Sequence, residues 1–463
     1  MKLDKKGIGL IAGILVGVLI WFAPLNNLAE ISMQGQQCLA LTLMTVVFWA
    51  CGVGQPAYIS AIYLALLVLF KVAEPSVVFR SWTTMNMWMV IGAYLIAAGV
   101  KSSGLGERIA YWFAIKFIHN WKSLIIWIYI ISLVLSILIP HPFPRCFMLL
   151  AVMMVVCDAA KMSEADKVKI GFTVFAAAAP TGMFLITGDS TLGPLVASYC
   201  EGGDLSYFGW MITMCVPMLV ATLGTLFLNL LLFKPEREIE INKAEVQAKA
   251  DELGTLSVTE KRVIVWIAIA VCLWLTGSMT GLSIGFVTLL IGALMALPYI
   301  GEVLKPGDWN TVPMNTLVFL TAAMGIGTVG GETGMNQFIA SVLLPASVPS
   351  NIFVLTLLIT VITVVIHMFM GSVMAVLGIC IPAFLTFTAG SGISPTAIAM
   401  MVFSAINIHY VLPFHNLAIL VGVGKDAGGY SATETMKMGI PLTVVVFLTT
   451  LVEAVWFHVL GLM

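Results

Sequence analysis

Ser103-Gly-Leu-Gly-Glu-Arg-Ile-Ala110 recurs later in the chain as Thr333-Gly-Met-Asn-Gln-Phe-Ile-Ala340, and each copy closes an apolar segment. The first segment begins with Met85-Asn-Met-Trp and the second with Met314-Asn-Thr-Leu. The offset is therefore 229 residues at the start (85 to 314) and 230 at the end (103 to 333). Because such a recurrence indicates an internal repeat, we interpret the chain as two similar halves.

The composition around these segments is that of a membrane protein. Of the 463 residues 60% are apolar and only 10% are charged, whereas soluble domains have about 25% charged residues. Several long stretches carry no charge at all, namely Ile11–Phe22, Cys38–Ala50, Tyr58–Phe70, Met87–Val100 and Phe208–Phe233. A spanning helix needs about 20 mostly apolar residues, so we predict an all-α polytopic membrane protein with about 11 transmembrane helices.

Several function classes find no support in the sequence. The net charge is −1 and no basic cluster is long enough for a nucleic-acid-binding arm. The eight cysteines form no CxxC pair, and we find no P-loop, HExxH or GxSxG motif. We therefore expect neither an enzyme nor a bound cofactor. A channel would need a pore ring, and a membrane-embedded enzyme would have to be built from His141, Asp189 and His415.

The basic residues and the one long polar stretch predict the layout. Lys2, Lys5 and Lys6 place the N-terminus in the cytoplasm, and we expect the plasma (bacterial inner) membrane. The predicted parts are a first helix (1–30), a first repeat (31–233), a cytoplasmic linker (234–262) and a second repeat (263–463). The linker holds Ala, Glu and Lys in a pattern typical of partial helix.

Each half contains two interrupted apolar segments. We predict hairpins at about 121–158 and 350–389, broken at Pro140-His-Pro-Phe-Pro-Arg145 and Met370-Gly-Ser372. Broken helices follow at about 169–200 and 394–424. If each repeat has five crossings, an odd number, the two repeats are inverted relative to each other. Inverted repeats with paired interruptions, here re-entrant hairpins and broken helices, are typical of secondary transporters.

The order of these parts resembles the divalent anion:sodium symporter (DASS) family of the ion transporter superfamily. The resemblance is carried by the repeated endings at Ala110 and Ala340, by a hairpin and a broken helix in each half, and by Leu412-Pro-Phe-His-Asn416. Gly429-Tyr-Ser and Met438-Gly-Ile-Pro441 also resemble the family's link into its last helix. The resemblance implies a homodimer in the membrane lipid that moves a small anion by an elevator mechanism.

The family's hairpin tips carry Ser-Asn-Thr, which holds substrate carboxylates and helps to form sodium sites. This chain has His141-Pro-Phe143 at the first tip and Ser372-Val-Met374 at the second, so both asparagines are absent. The broken helices differ from the family's Thr-Pro-Pro-Asn as well, with Gly188-Asp-Ser-Thr191 and Pro413-Phe-His-Asn416. The coupling ion is therefore left open between sodium and a proton, with exchange as a third mode.

Three titratable residues are the main candidates for anion binding. Arg145 suits a carboxylate or sulfonate because its planar fork binds bidentately, and an intramembrane arginine usually faces a cavity or a partner. His141 is a possible anion ligand or titrating group, or a tip residue bonded to the backbone. Asp189 is open to three interpretations: a pair with Arg145, a site for a cation or proton, or a helix cap.

The complete predicted substrate site consists of residues at the two tips and the two breaks. Its members are His141, Pro142, Phe143, Arg145, Gly188, Asp189, Ser190, Thr191, Gly371, Ser372, Val373, His415 and Asn416. His367 and His409 lie on apolar faces and are interpreted as packing residues. We expect a secondary transporter for a small organic anion, such as a di- or monocarboxylate or a sulfonate. The alternative is a sodium-coupled dicarboxylate or sulfate symporter.

Overall fold

The structure is a computed structural model, and it describes residues 4–27, 29–200, 205–345, 347–370, 372–425 and 427–463. The described residues form α-helices and short 3-10 turns without a β-strand. The helices of the first half are α1 (Lys5–Phe22), α2 (Met33–Cys51), α3 (Pro56–Leu69), α4 (Pro75–Val78), α5 (Met85–Ser103), α6 (Leu105–Phe117), α7 (Trp121–Leu138), α8 (Pro142–Ala159), α9 (Glu164–Gly182), α10 (Leu192–Ala197) and α11 (Tyr207–Leu232).

A short helix between the halves and ten further helices complete the chain. These are α12 (Lys243–Asp251), α13 (Val258–Leu275), α14 (Gly277–Thr280), α15 (Ile284–Leu294), α16 (Met314–Thr333), α17 (Met335–Leu343), α18 (Ile352–Met370), α19 (Val373–Phe387), α20 (Pro395–Asn407), α21 (Leu417–Val421) and α22 (Ala432–Val459). The all-α prediction is thus confirmed.

Six of the described helices are long and apolar enough to cross a membrane. They are α7, α8, α11, α16, α18 and α22. The count becomes seven if α5 and α6, which meet at a 62° bend, form one broken span. The predicted total of about 11 crossings also requires the shorter apolar helices, and it stays a prediction.

The repeated sequence ending has the same backbone in both halves. α5 stops at Gly104 (φ 79°) and α16 stops at Gly334 (φ 83°), and a new helix starts directly after each glycine. A left-handed residue ends a helix because its carbonyl no longer points along the helix axis, and glycine adopts this conformation without a Cβ clash. The recurrence of the sequence therefore corresponds to a recurrent kink between two helices.

The hairpin and broken-helix segments also recur in order. α7 and α8 correspond to α18 and α19, and the broken pair α9–α10 corresponds to α20–α21. The contacts are reciprocal, because α9 touches α21 of the other half and α10 touches α20. At the centre, the Asn407 side-chain amide donates to the Ala179 carbonyl at 3.1 Å. The two breaks therefore lie side by side in the interior.

The segment between the halves is fixed to the first half. α12 packs on α6 and α8. Arg108 of α6 pairs with Glu260 of α13 and donates to the carbonyls of Leu253 and Gly254. The predicted linker at 234–262 thus contains the helix α12, and the hydrogen bonds and ion pair of Arg108 attach it to α6.

Candidate functional site

The four interruptions surround one cavity of about 580 Å³. Helices outside the hairpins complete its wall. The lining residues from the tips and breaks are Pro142, Phe143, Gly182, Asp189, Thr191, Leu192, Phe369, Met370, Ser372, Val373, Met374, Asn407, Phe414, His415, Asn416, Leu417, Ala418 and Leu420. Pockets for small ligands commonly measure about 300–1,000 Å³, so the cavity has room for a small organic molecule.

The two breaks are capped in the same way by different residues. In the first, Asp189 Oδ1 accepts from the amides of Thr191 (3.0 Å) and Leu192 (3.1 Å), and from Thr191 Oγ1 (2.6 Å). In the second, Asn416 Oδ1 accepts from the amides of Ala418 (3.0 Å) and Ile419 (3.4 Å). Asn416 is the N-cap of α21, whereas Asp189 lies two residues before Thr191, the N-cap of α10. Both side chains satisfy amides that have no partner within the helix. The first cap is a carboxylate and the second is a neutral amide.

Arg145 lies behind the cavity wall and not on it. Only 1% of its surface is exposed. Nη1 donates to the carbonyls of Gly188 (3.1 Å) and Ile139 (3.3 Å), and Nη2 donates to the carbonyl of Ala178 (3.1 Å). Among the described residues no carboxylate lies within ion-pair distance of it, so the predicted pair with Asp189 does not form. The guanidinium instead joins the end of α7, the interior of α9 and the first break.

His141 also turns away from the cavity. Its Nδ1 accepts from the amide of Phe143 at 3.2 Å and so caps α8. The ring packs 4.8 Å from the ring of Tyr94 and 4.6 Å from that of Phe143, measured between centroids. Only 4% of the surface of His141 is exposed. His141 therefore stabilises the backbone of the first tip and does not line the cavity.

The two tips differ in the backbone donors that they offer. Proline occupies the first and third positions of α8, at 142 and 144, and the amide between them is bonded to His141. At the second tip Ser372 Oγ accepts from the amide of Ala375 at 3.4 Å. The amides of Val373 and Met374 have no hydrogen-bond partner among the described residues. Because proline lacks an N–H, free amides are concentrated at the second tip.

Three histidines, His367, His409 and His415, pack together next to the second break. His367 Nδ1 lies 3.1 Å from His409 Nδ1, and His367 Nε2 lies 2.9 Å from the carbonyl of His415. Because a carbonyl oxygen only accepts, a neutral His367 donates from Nε2–H to it, and its Nδ1 accepts a hydrogen bond from Nδ1–H of His409. His415 Nδ1 accepts from the amides of Val411 and Leu412, both at 3.1 Å. Of the three, only His415 reaches the cavity.

The predicted site residues thus fall into two groups. Those on the cavity wall are Pro142, Phe143, Asp189, Thr191, Ser372, Val373, His415 and Asn416. Those behind it are His141, Arg145, Gly188 and Ser190, all of them buried. Gly371 lies outside the described residues. The packing interpretation of His367 and His409 agrees with their full burial.

Several wall residues escaped the sequence analysis. Polar ones come from α3, α16 and α20, and aromatic ones from α2 and α16: Gln55, Asn315, Thr316, Asn407, Trp49 and Phe319. A signal existed for Asn315, because it belongs to the Met-Asn pair that opens both copies of the repeat. The remaining residues are ordinary helix residues whose role depends on tertiary packing.

A family model described as "Sodium:sulfate symporter transmembrane region" matches residues 4–463. The chain belongs to this family. The DASS resemblance is therefore confirmed, and this DASS protein is a transmembrane transporter and not an enzyme.

Named relatives of this DASS transporter include plant and bacterial proteins. It is 26% identical to the chloroplastic dicarboxylate transporter 1 of Spinacia oleracea over 70% of its own chain and 58% of the relative. The chain thus spans less than two thirds of that relative's length. It is 23% identical to the putative malate transporter YflS of Bacillus subtilis, with 71% and 70% covered. The inner membrane protein YbhI of Escherichia coli is 22% identical, with 83% and 82% covered.

The fold of this DASS transporter is similar to that of a solved structure. The YdaH transporter of Alcanivorax borkumensis superposes with a TM-score of 0.53 at 15% identity, covering 90% of this chain and 98% of that one. The likeness extends over nearly the whole length, so the helical architecture is that of a known transporter.

Proposed function

We propose that this protein is a secondary active transporter that carries a small organic anion across the plasma membrane. The observation that carries the proposal is the convergence of four interrupted segments, two from each half, on one cavity. Non-helical backbone at membrane depth is tolerated only where it is buried in protein or lines a cavity. Secondary transporters bind their substrates at such paired interruptions near the middle of the membrane.

The second hairpin supplies the principal anion-binding element. The amides of Val373 and Met374, which have no hydrogen-bond partner among the described residues, form the N-terminus of α19, a helix of 15 residues. Helix N-termini favour anions because the amides and the helix dipole both present positive charge. The side chains of Gln55, Asn315 and Asn407 add neutral polar groups, while Phe143, Phe369 and Phe414 supply apolar surface. This mixture suits a carboxylate or sulfonate on a short carbon skeleton.

The relatives support the same substrate class. Their names specify dicarboxylates and malate, so we propose a di- or monocarboxylate as the substrate. The predicted inverted topology, re-entrant hairpins, cytoplasmic N-terminus, homodimer and elevator movement belong to this proposal. The reciprocal contacts of the broken helices support the inversion, because a two-fold relation between the halves generates such exchanged contacts.

For coupling we propose exchange or proton linkage in place of sodium. Pro142 and Val373 stand where the family carries asparagines, and neither side chain offers an oxygen ligand. The second candidate is a sodium-coupled dicarboxylate or sulfate symporter, and the family's description favours it.

Counterflow in proteoliposomes tests the proposal. Vesicles loaded with unlabelled malate, succinate, acetate, sulfate or an alkyl sulfonate should take up the matching labelled anion only if the chain carries it. The sharpest variant is Val373→Pro, because proline at the first helical position removes the amide donor without disturbing the helix. Val373→Ala is the matched control. We expect counterflow to weaken at least about tenfold for the proline variant, the loss of one hydrogen bond to a charged group, and to persist for alanine. Absence of counterflow with every anion would refute the proposed function.

A further inference from the structure

Asp189 is an acidic side chain on the wall of a cavity that we assign to an anion. The described wall residues include no lysine and no arginine. Asp189 Oδ1 is saturated by three donors at the first break. Asp189 Oδ2 has no hydrogen-bond partner among the described residues, and the side chain is only partly buried. A carboxylate at this place would repel an anion in the cavity.

Capping alone does not explain the charge. Asn416 caps the second break through the same two amides, two and three residues ahead, and it is neutral. Asparagine and aspartate are about equally good caps. The hydrogen bonds of the cap therefore do not by themselves require a carboxylate at the first break.

In the described part of the chain no cation forms a direct ion pair with Asp189. Tyr94 of α5, His141 before α8 and Arg145 of α8 interact with it electrostatically, and His415 lies on the wall of the same cavity. Arg145 binds three backbone carbonyls, one of them that of the adjacent Gly188, and forms no ion pair in the described part of the chain. His141 has its Nδ1 occupied by the amide of Phe143. The free oxygen of Asp189 is thus left to the cavity and its contents.

We infer that Asp189 is the proton-binding group that couples anion transport to proton movement. A proton from the solution binds to Oδ2 and turns it into an O–H donor. This hydrogen bonds to a carboxylate oxygen of the anion, and such O–H···O⁻ bonds are short and strong. On the other side of the membrane the anion leaves and the proton passes from Oδ2 to water. The inference rests on the proposed function and adds the coupling ion to it.

The experiment uses the full-length protein in proteoliposomes and the variant Asp189→Asn. Asparagine keeps the cap, as at the second break, and removes the titratable oxygen. Asp158→Asn is the matched control, because Asp158 is an exposed carboxylate paired with Lys167. Three quantities are measured: anion binding by thermal shift at an acidic and an alkaline pH, counterflow, and accumulation driven by an imposed pH gradient. Malate and succinate are the probes.

We expect the unmodified protein and Asp158→Asn to bind more tightly as the pH falls, approaching about tenfold per pH unit, the limit for one proton taken up with the anion. Asp189→Asn should bind with the same affinity at both pH values, and at the alkaline pH more tightly than the unmodified protein, because the carboxylate that repels the anion is absent. It should lose gradient-driven accumulation while counterflow remains measurable. His141→Gln should keep the pH dependence, which separates Asp189 from the nearest histidine.

Gradient-driven accumulation by Asp189→Asn, pH-independent binding by the unmodified protein, or accumulation driven by a sodium gradient and not by a pH gradient would each overturn the inference. Asp189→Ser provides a second neutral cap. If neither neutral variant folds while Asp158→Asn does, the carboxylate has a structural role and the inference also fails. Loss of counterflow in the unmodified protein refutes the proposed function itself, whereas the outcomes above leave that function standing.

Discussion

Replacing Arg145 with alanine removes three hydrogen bonds that a buried cation donates to backbone carbonyls. The acceptors are the carbonyls of Ile139, Ala178 and Gly188, and they belong to three different segments around the first tip and the first break. Because Arg145 is almost fully buried, each carbonyl loses its charged partner, and among the described residues only that of Ala178 keeps a second, longer bond, from Thr181 Oγ1 at 3.4 Å. We expect the variant to lose both stability and transport, because the first tip and the break are no longer held together.

The size of the effect follows from these bonds. Hydrogen bonds to charged groups contribute about 1.5–3 kcal/mol each, and three of them at the lower value give about 4.5 kcal/mol. At about 2.1 cal/mol/K per residue, the unfolding entropy of a chain of 463 residues is about 1 kcal/mol/K. The melting temperature should therefore fall by about 5 °C. Arg145→Lys should recover only part of this loss, because one ammonium group cannot reach three acceptors in fork geometry.

The assay is thermal unfolding in detergent combined with anion counterflow in proteoliposomes. Arg237→Ala is the matched control, because Arg237 donates to the single exposed carbonyl of Lys161 at the surface. We expect its melting temperature to change by less than about 1 °C, with normal counterflow. If Arg145→Ala has the melting temperature of the unmodified protein and transports normally, Arg145 does not stabilise the site. If it melts normally but loses transport, Arg145 contacts the anion in another state of the cycle.

Three further predictions concern topology, coupling and a buried acid. In a background without the eight native cysteines, Lys122→Cys and Asn351→Cys, at the exposed outer ends of the two hairpins, should be labelled from opposite sides of the membrane; labelling of both from the same side contradicts the inverted repeat. Uptake should persist when choline replaces sodium, and a steep, saturable sodium requirement would support the symporter alternative. Glu453→Gln should keep the melting temperature because glutamine still accepts from Ser404 Oγ (2.8 Å), whereas Glu453→Ala should lower stability by about 1–3 kcal/mol; equal melting of the two variants would show that this bond is without effect.

The positions of the tips and breaks were predictable because backbone constraints are local. The prolines around His141 cannot continue α7, and the glycines at 104 and 334 adopt positive φ in both halves. Ser372 and His141 both cap the second arm of a hairpin, as an offset of 231 residues (141 to 372) suggests. Patterns of this kind need no knowledge of the neighbouring helices.

The directions of the side chains were not predictable from the same patterns. Arg145 is close in sequence to the cavity-lining residues Pro142 and Phe143. Its guanidinium group nevertheless donates to the carbonyls of Ala178 in α9 and Gly188 in the first break. The Gly188 carbonyl is brought within reach because α9 ends at Gly182 and the chain is non-helical between Gly182 and α10. Similarly, the neighbours of His367 are 42 and 48 residues away in sequence, at His409 and His415. Which groups meet depends on how the broken helices pack, and the pattern of one segment does not contain that information.

The unequal tips give the cavity a polarity. At the second tip the amides of Val373 and Met374 have no partner in the described part of the chain. At the first tip two prolines leave an apolar face, and Asp189 lies on the same cavity wall. A substrate with one acidic end would therefore lie with that end against the second hairpin throughout the cycle. An anion with acids at both ends would have to place its second acid beside Asp189. We therefore expect the transporter to distinguish the two ends of its substrate and to carry an asymmetrically substituted diacid in one orientation.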